Sequence, residues 1–185
     1  MPECTNQDLI SGLLVPDNFT VIFPDIVDGV GSNVQTVQIP ELSAGSTEVP
    51  TPTGARLKVA GDSITYSSFT ITFALDQNLV IYDLFLSWIK ATCSPEDLSQ
   101  FENFVKKYLT FERKDELALY RDLTVISNSG TIPMAWSFYG AFPISMSGIE
   151  FSSTLTDASM ATIDVTFDYT YFDLSISGRS FTTDL

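Results

Sequence analysis

Apolar and polar side chains alternate most cleanly near the end of the chain. In TIDVTFDYTYF, residues 162–172, Ile163, Val165, Phe167, Tyr169 and Tyr171 fall on one side and Asp164, Thr166, Asp168 and Thr170 on the other. A period of two over this length predicts a long strand with one face on a core and one in water. The preceding segment repeats the pattern, with Ile132, Met134, Trp136, Phe138 and Phe142 on a shared side. Gly140, Pro143 and Gly148 between them allow a bend or bulge. The two runs predict an antiparallel unit whose wet face carries carboxylates.

Earlier segments give shorter signals. FTVIFP (19–24) reads as a strand stopped by Pro24, and VQTVQIP (34–40) as a second. Between them, Asp25, Asp28 and Gly29 lack the spacing and closing Glu of a calcium loop, so a plain turn is expected. Residues 41–62 combine Gly, Pro and small polar residues into a long excursion carrying Arg56 and Lys58. Composition supports equally a mobile surface loop and an arm that meets a neighbouring subunit's acidic surface. In ITYSSFTITFALD, Phe69, Ile71, Phe73 and Leu75 alternate with Thr70 and Thr72, another half-buried strand.

The period then changes. Ile81, Leu84, Phe85 and Trp88 recur at helical spacing, predicting a helix over about 78–91 capped by Asp76 or Asn78. Ser94-Pro95-Glu96-Asp97 opens a second helix, about 95–109, with Leu98, Phe101, Val105 and Tyr108 as its apolar stripe. Lys106, Lys107, Arg113 and Lys114 near its end suit the helix dipole. They read as a solvated face or subunit contact rather than a phosphate site. LALYRDLTVIS and TIPMAWSF flank a Ser/Asn/Gly turn as a hairpin. The closing SISGRSFTTDL is polar and predicts a loose tail or interface arm.

Bulk properties narrow the function. The 185 residues predict one β-rich body over 19–173, with an N-terminal arm (1–18) and a C-terminal tail (174–185). Nine basic residues against twenty-three acidic ones, a net charge of −14, argue against nucleic acid as a bound partner. The absence of histidine excludes His-based triads and His-containing metal sites. No phosphate loop, nucleophile elbow or metal spacing occurs, so no catalytic, cofactor-binding or metal residue is expected. Asp164 and Asp168, four positions apart on a strand, stand about 13 Å apart, too far for a glycosidase pair. Cys4 and Cys93 fit free thiols at least as well as a bridge. The first residues do not read as a secretion signal, and no segment approaches a membrane span.

The order of elements resembles the tail tube protein family of contractile-tailed bacteriophages, related in fold to type VI secretion and pyocin tube proteins. Ala60-Gly61-Asp62 ahead of FTITFALD, the helix ending near Trp88, and Gly140-Ala141-Phe142-Pro143-Ile144-Ser145 leading through GIEFSS to TIDVTFDYTYF carry the likeness, over roughly residues 19–172. The resemblance implies a mainly β protein, a rolled antiparallel β-sandwich or barrel with a flanking helix and a long inter-ring loop, to which the residues themselves add the second short helix. It implies a non-enzymatic subunit of stacked, hexameric rings whose acidic lumen conducts DNA without binding it. Asp164, Thr166, Asp168, Thr70 and Thr72 become candidate lumen residues, and Arg56, Lys58, Gly61 and Asp62 candidate inter-ring contacts. Expected partners are other copies of the chain and sheath, baseplate and terminator proteins, with no cofactor and no membrane insertion. The expected location is the virion tail, assembled in the bacterial host cytoplasm. Alternatives are a baseplate tube-initiator or cap, a tail terminator ring, the tube of a secretion-type machine, or a monomeric β-sandwich binding module.

Overall fold

The computed structural model describes residues 17–24, 26, 29–50, 54, 56–93, 97, 99–109, 119–128, 133–149, 160–176 and 179–180. Ten strands and two helices occur among them: β1 (Phe19–Ile22), β2 (Val34–Val37), β3 (Leu42–Pro50), β4 (Arg56–Tyr66), β5 (Phe69–Ala74), α1 (Val80–Cys93), α2 (Ser99–Tyr108), β6 (Arg121–Ser127), β7 (Met134–Met146), β8 (Thr162–Asp168), β9 (Tyr171–Ile176) and β10 (Arg179–Ser180). All strand pairings are antiparallel.

The pair expected from the terminal alternation is the spine of the fold. β8 and β9 run as one bent strand against β7, with Tyr171 opposite Tyr139 and Asp168 opposite Phe142. The bend falls at Tyr169 and Thr170, where the Thr170 amide still donates to the Tyr139 carbonyl at 3.0 Å. Opposite it, Gly140 has a φ of +63°, a left-handed conformation that side chains with a Cβ disfavour. The bend divides the spine between two sheets. One is β1-β6-β7-β9-β10; the other is β7-β8-β5-β2. Together they form an open roll, sandwich-like rather than a closed barrel among the described residues.

The bend also shifts the side-chain phase, which corrects two expectations. Phe138 is buried, but beyond Gly140 the buried positions become Ala141 and Pro143, so Phe142 turns outward. Ile163, Val165, Phe167 and Tyr169 are buried as expected, yet Tyr171 lies on the outer face, 43% exposed. The β6–β7 register shifts between Arg121 and Leu123, which sets an extra residue on β7 and exchanges its faces. β8 and β9 keep their register with β7 through the bend and turn with it.

Between the sheets and helices lies an aromatic core. Phe167, fully buried, meets Phe69 at 5.5 Å, Phe85 at 5.8 Å, and Trp88 at 6.3 Å between ring centroids. Ile81, Leu84, Phe85 and Trp88 of α1 are all buried, as their spacing predicts. The Trp88 indole N–H donates to the Leu119 carbonyl at 2.9 Å, satisfying its one polar atom. Asp76, rather than Asn78, caps α1, accepting from the Val80 and Ile81 amides at 2.9 and 3.4 Å.

α2 begins at Ser99, later than its sequence signature suggests. Asp97 accepts from the Ser99 amide at 3.3 Å, whereas Ser94, Pro95, Glu96 and Leu98 of the expected start lie outside the described residues. Its buried residues are Phe104, Val105 and Tyr108, Phe104 adding to the expected stripe and stacking on Trp88 at 5.8 Å. The β6–β7 hairpin pairs as expected, though its turn at 129–132 lies outside the described residues. The expected loose tail is partly ordered: Arg179 and Ser180 pair back onto Ile176 and Ser175.

Candidate functional site

The outer face of β5 and β8 is the first of three surfaces that the fold presents. The core-facing positions of these strands are apolar, so strand pleating sends Thr70, Thr72, Asp164, Thr166 and Asp168 together to the opposite side. Register sets Thr70 beside Thr166 and Thr72 beside Asp164. The Thr70 and Thr166 hydroxyls are 3.3 Å apart. Thr36 on β2 donates to the Thr72 hydroxyl at 2.8 Å, and Thr72 donates to an Asp164 carboxylate oxygen at 2.7 Å. All five residues chosen from the sequence therefore share one face.

Thr36 and Ser147 complete it, the Ser147 hydroxyl accepting from the Asp164 amide at 2.9 Å. Neither was singled out beforehand. Thr36 joins through pairing between strands far apart in sequence, with a register shift between Val34 and Thr36, and local periodicity carries no trace of this. Asp168 differs from Asp164, since one of its oxygens accepts from the Tyr169 amide at 3.0 Å. The Tyr169 hydroxyl is pushed up to about 12, by burial first and the Asp168 charge second, while donating to the Ser67 carbonyl at 3.0 Å.

Chemically this face offers carboxylate oxygens and hydroxyls that bond largely within the face: Thr36 donates to Thr72, Thr72 donates to Asp164, and one proton joins the Thr70 and Thr166 hydroxyls. The Thr36–Thr72–Asp164 chain directs two hydroxyl donors along the sheet, and no lysine or arginine stands among the residues that form it. Such a surface has little with which to hold a phosphate.

The second surface is the 41–62 excursion, which proves to be a two-stranded ribbon of β3 and β4 rather than an irregular loop. Among the described residues the ribbon makes no ladder with the main sheets. Nine residues of β3 give it a reach of about 30 Å. Its root is fixed by Tyr66, which packs edge-on against Tyr169 and Phe172 at 6.0 and 5.9 Å. Leu57, Val59 and Ile64 are 58%, 50% and 59% exposed, far more apolar surface than an isolated ribbon normally shows to water.

The four residues assigned to this arm take different places. Arg56 is paired with Glu48 at 3.1 Å within the ribbon. Lys58 lies opposite Glu48 in register and is exposed, with no ion pair among the described residues. Gly61 sits inside the ribbon's register shift, where an added Cβ would come within 2.8 Å of the Gly45 carbonyl oxygen. Its place is a close backbone crossing within the ribbon. Asp62, beside it, is exposed.

The third surface is the helix pair. Asp83 on α1 accepts from both the Lys107 ammonium and the Tyr108 hydroxyl on α2. Lys107 is the larger cause of a depressed Asp83 carboxyl, and the same contact raises the Lys107 ammonium. Burial, then Asp83, raises the Tyr108 hydroxyl. Lys106 pairs with Glu102 at 3.2 Å. These two lysines thus join helices and neighbours rather than gather at an anion site; Arg113 and Lys114 lie outside the described residues.

Among the described residues, no group of His, Cys, Asp and Glu could hold a metal ion, and no helix is long and apolar enough to cross a membrane.

A family profile for phage tail tube proteins matches residues 23–175. No curated protein sequence matches the chain. Solved structures share the fold at low identity. A chain of the extracellular contractile injection system PVC, from its sheath–tube complex in the extended state, has a TM-score of 0.51 at 17% identity, covering 94% of this chain and 99% of that one. A chain of the PVC sheath/tube terminator has a TM-score of 0.52 at 16% identity, covering 90% and 99%. The tube-terminating cap of the anti-feeding prophage gives 0.55 at 16% identity, covering 90% and 93%.

Proposed function

The chain belongs to the phage tail tube protein family, and from that premise we propose that it is a non-enzymatic subunit of a tube of stacked, hexameric rings. The outer face of β5 and β8 lines the bore, and the β3–β4 ribbon reaches the adjoining ring. The tube conducts DNA without binding it, inside a virion tail assembled in the host cytoplasm. Other copies of the chain, a sheath, a baseplate and a terminator are its partners.

The observation that carries this reading is the Thr/Asp face. Carboxylates at Asp164 and Asp168 repel phosphate, and the Thr36 and Thr72 hydroxyls donate to Thr72 and Asp164 while one proton joins Thr70 to Thr166. DNA affinity rests on cations that displace counterions and on donors that meet phosphate oxygens, and both are scarce there. The sheet edges at β1 and β2 support assembly in a second way. An unpaired edge is a template for another chain, and closing a ring of subunits removes that hazard.

A second reading is a specialised ring, the cap or terminator of such a tube, favoured by the fold shared with the PVC terminator and the anti-feeding prophage cap. Copy number per particle separates the two, since only the main subunit recurs in many rings. Electron microscopy of the concentrated protein tests the tube. Rings and stacked tubes with an open bore are expected; a monodisperse monomer at every concentration would overturn the proposal.

A further inference from the structure

The bend that divides the spine also builds an outward patch that the Thr/Asp face does not use. Tyr139 and Tyr171 are partners in register, and their rings stack at 4.6 Å and 21°. On β9, Asp173 lies opposite Ser137, on the same outer face as Tyr171. From β6, Asp122 reaches the Gly140 amide at 3.0 Å. Three strands thus bring two carboxylates to one aromatic pair, exposed at Tyr171 and half-buried at Tyr139. Their field is felt there: the Tyr139 hydroxyl is raised by partial burial, then by Asp173, Tyr171 and Asp122. The neighbouring Arg121 is buried, so it does not present its charge on this surface.

Stacked tyrosines flanked by carboxylates suit a cationic side chain, whose charge meets the ring faces and whose donors meet the carboxylates. Within this chain, Lys58 is an exposed cation with no ion pair among the described residues, near the tip of the ribbon. Its own patch is out of reach. Tyr66 fixes the ribbon's root against Phe172 and Tyr169, at that same bend, and Lys58 stands eight residues further along β4, about 25 Å away.

We propose that the Asp122–Tyr139–Tyr171–Asp173 patch receives the Lys58 end of the ribbon from a second copy of the chain. The inference rests on the tube reading and adds to it the surface on which the arm lands. The contact is heterologous, tip to bend, so each copy offers one free tip and one free bend. Such contacts propagate instead of closing a dimer.

A charge exchange tests it, with the wild-type chain, Lys58→Glu, Asp173→Lys and the double variant compared by sedimentation and electron microscopy. Asp173 is chosen because Asp122 also holds the Gly140 amide. Each single reversal is expected to raise the threshold concentration for polymer about tenfold or more, and the double variant to return it close to wild type. Single variants that polymerise like wild type, or a double variant that does not recover, would overturn the pairing while leaving the tube intact. A wild-type chain that never self-associates would sink the tube reading as well. If a reversal alters the monomer's circular dichroism, Lys58→Gln and Asp173→Asn replace it, each expected to raise the threshold about threefold or more. No change in either neutral variant overturns the proposal.

Discussion

Gly140 lies against Thr170 so closely that a Cβ at position 140 would stand 3.0 Å from the threonine hydroxyl oxygen. The contact crosses the spine where both strands bend, and it joins a left-handed backbone at Gly140 to the break between β8 and β9. Geometry at this point decides which way the later side chains face.

Gly140→Ala is therefore expected to destabilise the monomer by about 1–3 kcal/mol, from left-handed strain plus the contact with Thr170. Urea unfolding of the purified chain measures it. A loss below a few tenths of a kcal/mol would show that the bend tolerates a side chain.

Phe167 is the hub of the aromatic core, and Phe167→Ala should cost about 3–5 kcal/mol. Since Thr166 and Asp168 beside it point the other way, Phe167→Leu should retain more stability and leave the outer face unchanged. Thermal melts of the two variants separate packing loss from surface loss.

The helix clamp predicts a pH window. The Asp83 carboxyl is depressed in the folded chain, so its contribution is present above the ordinary carboxylate range and lost as pH falls through the folded value. Lys107 and Tyr108 are raised, so their contributions are full below their ordinary values and lost as pH rises through the folded ones. Tyr169, raised to about 12, adds to the alkaline loss. Stability should therefore plateau between about pH 5 and 9. Asp83→Asn should flatten the acid limb, and melting curves from pH 2 to 7 (about the carboxylate range) would reveal an unchanged limb if the clamp is idle.

Lysine at both Asp164 and Asp168 reverses the charge of the proposed bore without touching the core. Tubes should still form, while DNA passage slows and becomes strongly salt-dependent, as new phosphate contacts act as brakes. Ejection kinetics at low and high salt provide the measurement. Unchanged kinetics in intact tubes would place these positions away from the DNA path.

Much of this molecule was legible in its one-dimensional pattern. The alternation at 162–169 identified a strand and its core face, and the spacing of Ile81, Leu84, Phe85 and Trp88 identified the helix that covers it. Both signals are local, because strand and helix periods are properties of the backbone. Charge and the lack of histidine likewise narrow the chemistry. What the pattern could not carry was the outward turn of Tyr171 and Phe142, the ribbon form of the 41–62 excursion, and the meeting of Thr36 with Asp164 through Thr72. The first depends on a single bend whose effect is to exchange the two faces of a strand. The others depend on which strands become neighbours, and pairing between residues as distant as Thr72 and Asp164 is fixed only when the whole chain buries its apolar face at once.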